Sequence, residues 1–433
     1  MAGRRLSSND VGVVIALAIV VLVLLLVYVA ERGEVRGEQP IAVNAGNAGA
    51  IGRAEVEQGI PQTLDGGSHQ HALQQGCGIE TAQVGQTESE AEAVVERQSE
   101  EALETILPAL DARSEPRARA AGLYFRAARH AIDTQADACK SAPDACRTLA
   151  QRGLDDSTSA EALARLAVNS SDPQVYAWAY RSCSRVSRQV AGSCQLVNAL
   201  QWARLDPTNA VPWLAVAQEA KSRKDPAGVD DAMFHVAAAA IHDPGWGRVA
   251  EQMIEAAPRA DEHAVGTWLA ALRAVAFEAA FDLPSVAEAT TYCDVRALGS
   301  ANRRDTCDKL AAVLVDRSTT LLGRSIGIGL AKRLDWPAPR LAAAELERDA
   351  ANALALRDAP RFGDPTTCAN VRSDLSLLVD NGRLGEVEAV KRRIAALGES
   401  IDTLAAEQRR VRSVREADAA GAAASAASAA TGS

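Results

Sequence analysis

The chain has 433 residues, is 48% hydrophobic but only 4% aromatic, and carries a formal net charge of −10. That length supports one large or two small folded domains. The acidic balance excludes nonspecific nucleic-acid binding, which needs a basic face. Alanine and leucine dominate the apolar share, and long β-branched runs are absent beyond the N-terminus, so the composition favours helices.

Residues 1–10 form a short flank with Arg4 and Arg5. Val11–Ala30, VGVVIALAIVVLVLLLVYVA, is uncharged. At about 1.5 Å per residue it makes a helix of about 30 Å, the thickness of a bilayer's hydrocarbon core. It is longer than the apolar core of a signal peptide, and it lacks a small-x-small cleavage site and a following cysteine. It therefore reads as a single transmembrane anchor. Arg32 and Arg36 beyond it match Arg4 and Arg5 before it, so flanking charge does not orient it.

Residues 31–87 are poor in large apolar side chains and read as a flexible linker. They contain His69-Gln70-His71 and Cys77, whose imidazoles and thiolate are soft ligands, but no fourth ligand accompanies them. No metal or other cofactor is expected.

Helical periodicity begins near Glu88, with Val95, Leu103, Ile106, Leu107 and Leu110 on one side and Pro108 expected to interrupt it. A second helix opens at Pro116. To about residue 416, apolar-periodic runs alternate with turns. These turns are marked by Asp155-Asp156, Ser171-Asp172-Pro173, Asp206-Pro207-Thr208-Asn209, Asp225-Pro226, Asp243-Pro244-Gly245, Trp336-Pro337 and Asn381-Gly382. The expected class is all-α, an array of helical hairpins over 88–416, with an Ala/Ser tail at 417–433.

Eight cysteines punctuate the chain: Cys77, Cys139, Cys146, Cys183, Cys194, Cys293, Cys307 and Cys368. None has the spacing of a zinc, thioredoxin-type or haem motif. Cys139/Cys146, Cys183/Cys194 and Cys293/Cys307 form close couples, each bracketing a turn where a disulfide could staple two helices. Spacing alone does not fix the connectivity. Disulfides belong in oxidising compartments. Together with the anchor they place the body in the periplasm and the N-terminus in the cytoplasm, as a single-pass inner-membrane protein.

Leu205–Pro244, LDPTNAVPWLAVAQEAKSRKDPAGVDDAMFHVAAAAIHDP, has Asp-Pro terminators, an early Trp213, small residues Ala215, Ala217 and Ala220, and an Asp in the turn. It resembles a tetratricopeptide repeat, a helix-turn-helix unit of about 34 residues. Its second helix is expected to close on Asp243-Pro244, with Trp213 filling space between neighbouring hairpins. The resemblance implies a protein or peptide partner, with Trp213 and Trp246 as candidate contact residues. All six tryptophans, from Trp178 to Trp336, fall in this middle region and read as core before ligand-stacking.

Near the C-terminus, Val387, Val390, Ile394, Leu397, Ile401, Leu404 and Val411 make a heptad seam over 387–411, with Gln408 out of type and Gly398 midway. It suits packing on helix 371–380 or self-association.

Gly323-Arg324-Ser325-Ile326-Gly327 fits the nucleophile elbow of serine hydrolases, with Thr319–Leu322 as a candidate strand before it. No histidine follows it in the chain, as that fold requires. His235 and His242 are seven apart, and His242 is expected to cap the end of a helix. No catalytic residue is assigned. The function expected is a membrane-anchored extracytoplasmic scaffold for protein–protein interaction in a bacterial envelope. The alternative is an envelope enzyme of unrecognised type, such as a cell-wall-acting hydrolase.

Overall fold

The structure, a computed structural model, describes residues 88–141, 158–187, 192–358 and 367–414 with a few single positions beside them. Val11–Ala30, the linker, the His69–His71 pair, Cys77, Cys146 and the tail beyond Ala417 lie outside the described residues. The described residues are helical, with isolated bridges and no strand.

The helices are α1 (Glu88–Asp111), α2 (Pro116–Ser141), α3 (Thr158–Val168), α4 (Pro173–Cys183), α5 (Ala199–Leu205), α6 (Ala210–Ser222), α7 (Pro226–Ala238), α8 (Arg248–Ala256), α9 (Ala264–Tyr292), α10 (Ala301–Arg317), α11 (Leu321–Arg333), α12 (Ala338–Asp358), α13 (Cys368–Leu384), α14 (Glu386–Leu397) and α15 (401–414). Their starts follow the turn chemistry. Asp172, Asn198, Asn209, Asp225, Thr320 and Thr367 each accept a bond from a first-turn backbone N–H, and proline occupies N1 of α4 and α7.

Two expected breaks do not occur. Pro108 lies within α1, which runs on to Asp111. The proline is in the helix's final turn, and Ala112 N–H donates to its carbonyl at 3.0 Å. Asn381-Gly382 lies inside α13, and the turn comes at Gly385. Gly382 is there for a close crossing: a Cβ on it would stand 2.7 Å from the Gly247 carbonyl oxygen and 2.6 Å from Glu251 Cβ.

Three apolar cores lie in series. The first is built by α1–α5, α8, the N-terminal part of α9 and one side of α13, with Trp178, Phe125, Leu110 and Met253 fully buried. The second gathers α6, α7, α10, α11 and the end of α9. The third joins α12, α14 and α15 around Leu321 at the start of α11. Helix α6 serves two cores, turning Val211 and Ala215 to the first and Ala210, Leu214 and Ala217 to the second. Helical hairpins are present, as α3–α4, α6–α7 and α10–α11. Packing also crosses the chain's length, with α1 along α9 and α8 against α13. A strict solenoid has only nearest-neighbour interfaces.

Asp261–Phe281 is long and apolar enough to cross a membrane by length and composition. In the fold it is a core helix, because Val265, Trp268, Ala271, Ala274 and Phe277 are buried in the first core. Its Arg273 pairs with Glu100 of α1 at 2.6 Å. Burial works to raise the Glu100 carboxyl, but bonds from Arg273 and Arg129 outweigh it and hold the group below its ordinary range.

The heptad seam is divided. Gly398, at φ +66°, ends α14 in the left-handed conformation. Val387, Val390 and Ile394 then pack with Leu404 against Ala350, Ala351 and Leu354 of α12. Leu397, Ile401, Val411 and Val414 stay exposed. The last helix is fastened by charge. Buried Asp349 takes Arg348 Nη2 at 2.7 Å on one oxygen and Arg412 of α15 on the other.

Cys183–Cys194 and Cys293–Cys307 are disulfides, with Cα–Cα separations of 5.2 and 5.8 Å. Cys139 and Cys368 each form a disulfide too, but not with one another. The first staple ties the end of α4 to the short turn Ser193–Leu196, and the second ties the end of α9 to α10. Loops of these lengths are expected to stabilise by about 3 kcal/mol each through the unfolded chain's entropy. Replacing both cysteines of either pair by serine should lower the full chain's stability by about that amount in chemical denaturation. Unchanged unfolding would show the staples to be passive.

Candidate functional site

The repeat-like segment folds as the α6–α7 hairpin. Lys224, at φ +59°, turns the chain, and Asp225 caps α7 by accepting Gly228 N–H at 2.9 Å. Alanines 210, 217 and 232 with Leu214, Met233 and Val236 face the second core. Trp213, half-buried, packs against this core as well. Trp213 lies flat on His235, with ring centroids 3.9 Å apart and planes 11° apart. Its Nε1 donates to the Pro207 carbonyl at 3.1 Å, which fixes the indole. Trp213 therefore packs on its own hairpin rather than only between hairpins. Phe234 stands edge-on to His235 at 6.0 Å and is 65% exposed. It is the exposed aromatic ring among the described residues.

Helix α7 ends at Ala238, five residues short of Asp243-Pro244. The chain then runs without helix from Ala239 to Gly247, bending at Ala240 and turning at Trp246-Gly247, where Gly245 and Gly247 take positive φ. Its backbone finds partners outside any helix. Ile241 accepts from Ala210 N–H at 2.8 Å, and Ala240 donates to Thr208 at 2.8 Å. His242 donates to Arg317 and accepts from Thr319 at 3.0 Å. Buried Asn209 bonds both the N–H and the carbonyl of Asp243, at 3.0 and 2.8 Å. Arg181 Nη2 donates to the Pro244 carbonyl at 2.6 Å. Fully buried Glu278 accepts Gly247 and Val249 N–H at 2.7 and 3.2 Å and Trp178 Nε1 at 3.4 Å.

Trp246 sits in this crossing, half-buried, between Gly245 packed on Gln174 and Gly247 packed on Asn381 and Gly382. It is apart from the setting of Trp213. The other four tryptophans, Trp178, Trp202, Trp268 and Trp336, are buried.

His242 is no helix cap, because α7 stops before it. It is buried, and its Nδ1 meets Ser318 Oγ at 3.0 Å. The Gly323–Gly327 motif is a glycine-containing helix segment, not a strand-to-helix elbow. Thr319 forms backbone bonds to His242 and to Val387, Thr320 caps α11, and Gly323–Gly327 lies in that helix. Ser325 is therefore helical, and the histidine's hydroxyl partner is Ser318. Gly323 makes room for this pair, since a Cβ there would collide with Ser318 Oγ and touch His242 Nδ1. The arrangement is a closed polar knot without access for a substrate. Among the described residues no three His, Cys, Asp or Glu side chains converge to hold a metal.

Burial pushes the His242 pKa down from 6.5 to about 4, with Asp243 opposing the shift weakly. The unfolded chain then binds a proton more readily than the folded one. This contribution to stability is complete above pH 6.5 and is lost as pH falls toward 4, by about 3 kcal/mol. The slope of unfolding free energy between pH 7 and 5 should be shallower in His242→Asn than in the parent; equal slopes would refute the assignment. No family model, no curated protein and no solved structure matches this chain.

Proposed function

We propose that this chain is a membrane-tethered helical scaffold that engages a protein or peptide partner in a bacterial envelope. Val11–Ala30 is the inner-membrane anchor, the linker extends from it, and the hairpin-containing body lies in the periplasm. Two observed disulfides support an oxidising compartment. The observation that carries the binding role is Phe234. A phenylalanine 65% exposed beside a fixed Trp213–His235 stack is an anchor of the kind that dominates protein interfaces. Helical repeats use such faces for partners, and the tetratricopeptide resemblance points the same way. The exposed Leu397, Ile401, Val411 and Val414 support a further contact, between copies of the chain along the last helix.

Alkaline phosphatase fused at the C-terminus should be active in a bacterial host, and an inactive fusion would move the body to the cytoplasm. A benzophenone side chain installed at position 234 should give a discrete protein adduct in cells, reduced by Trp213→Ala. The same probe at exposed Val295 serves as the control. Adducts of equal yield at both positions would remove the hairpin from the interface. Sedimentation of the detergent-solubilised chain should show association that Leu397→Glu with Val414→Glu weakens; a concentration-independent mass would end that part.

A further inference from the structure

An open cleft of about 420 Å³ lies where α1, α2 and α3 meet, lined by Asp111, Arg119, Leu123, Ala162, Arg165 and Leu166. The spacing is helical. Arg119 and Leu123 are four apart on α2, and Ala162, Arg165 and Leu166 follow 3–4 spacing on α3. Each helix thus turns one arginine and one leucine into the same space.

These arginines differ from their neighbours. On α2, Arg117 holds Asp172 at 2.9 Å, Arg126 grips both oxygens of Asp111 at 3.0 and 2.6 Å, and Arg129 holds Glu100 at 2.7 Å. Among the described residues, the guanidiniums of Arg119 and Arg165 hold no carboxylate. Glu115, four residues before Arg119, does not close on it. Glu161, four residues before Arg165, directs its oxygens to the backbone N–H groups of Ser193 and Cys194. Asp111 is the acid in the lining, and Arg126 already matches its charge. Two uncommitted guanidiniums therefore stand over an apolar floor, on a chain whose net charge is −10.

We propose that this cleft binds an acidic peptide segment in which a carboxylate side chain neighbours an aliphatic one. The planar fork of arginine matches a carboxylate in two-pronged geometry, and water-exposed guanidiniums keep that capacity available. Leu123, Leu166 and Ala162 supply the surface for the aliphatic neighbour. An anionic lipid surface offers charge of the same sign, but a body with net negative charge is repelled from it beyond the cleft. The cleft is independent of the Phe234 face, to which α1, α2 and α3 contribute nothing.

The test uses the full chain in neutral detergent and a fluorescein-labelled hexapeptide of alternating leucine and glutamate, read by anisotropy. Saturable binding is expected, weakened about tenfold or more by Arg119→Gln with Arg165→Gln, and weakened again as salt rises and screens the pairs. A leucine–glutamine hexapeptide should not bind, and Phe234→Ala should leave the acidic peptide's affinity unchanged. Both arginines are exposed, so the double variant should melt like the parent. Arg119→Lys with Arg165→Lys, which keeps charge without the fork, should fall between. Absence of saturable binding, equal binding by the glutamine variant, or stronger arginine-dependent capture by phosphatidylglycerol vesicles would each overturn the proposal.

Discussion

A non-helical stretch of buried backbone inside a helical protein must find partners for its polar groups, since an unpaired buried amide costs as much as a lost hydrogen bond. Ala239–Gly247 is that stretch. It leaves α7, passes between Thr208-Asn209 and Arg317-Thr319, and enters α8. Side chains from distant elements complete it: Asn209, Arg181 and Glu278 each bond its backbone directly. Thr319 adds a bond to Asp243 at 3.1 Å and continues to Val387 N–H at 3.0 Å. One crossing thereby links the three cores.

Small residues make the rest of the assembly tight. Alanine-rich faces on α6, α7, α9 and α12 let helices approach closely, and the scarce aromatic rings fill the spaces that remain. Tyr124, Trp178 and Phe281 cluster in the first core at ring separations of 6.1 Å. Phe234 is the departure from this economy, because it is left in water on a hairpin whose other side is fully packed. Burying it elsewhere would add apolar contact, so its exposure is where a partner has the most to gain.

Much of the helical pattern was legible locally. Asp-Pro and Asp-Pro-Thr-Asn turns start helices because a short polar side chain caps the first N–H groups and proline needs no donor at N1. Couples such as Cys183/Cys194 were legible because a turn between them brings the sulfurs together. The centre was not legible. Helical composition continues past Ala238, yet α7 ends there because tertiary bonds to Thr208 and Arg317 satisfy the non-helical chain instead. The glycines around Ser325 look like a hydrolase elbow and serve a helix packed on His242 and Leu314. Asn381-Gly382 looks like a turn and is a helix crossing.

Helix class, most helix starts, the Cys183/Cys194 and Cys293/Cys307 couples and an apolar span of membrane length are readable from the chain, because each depends on residues near one another in it. Only the tertiary structure decided that α1 would lie on α9, that His242 would be buried against Ser318, and that Arg119 and Arg165 would share a cleft. Those outcomes depend on which distant surface offers a partner for a polar group or a space for a side chain. No short-range pattern encodes that choice.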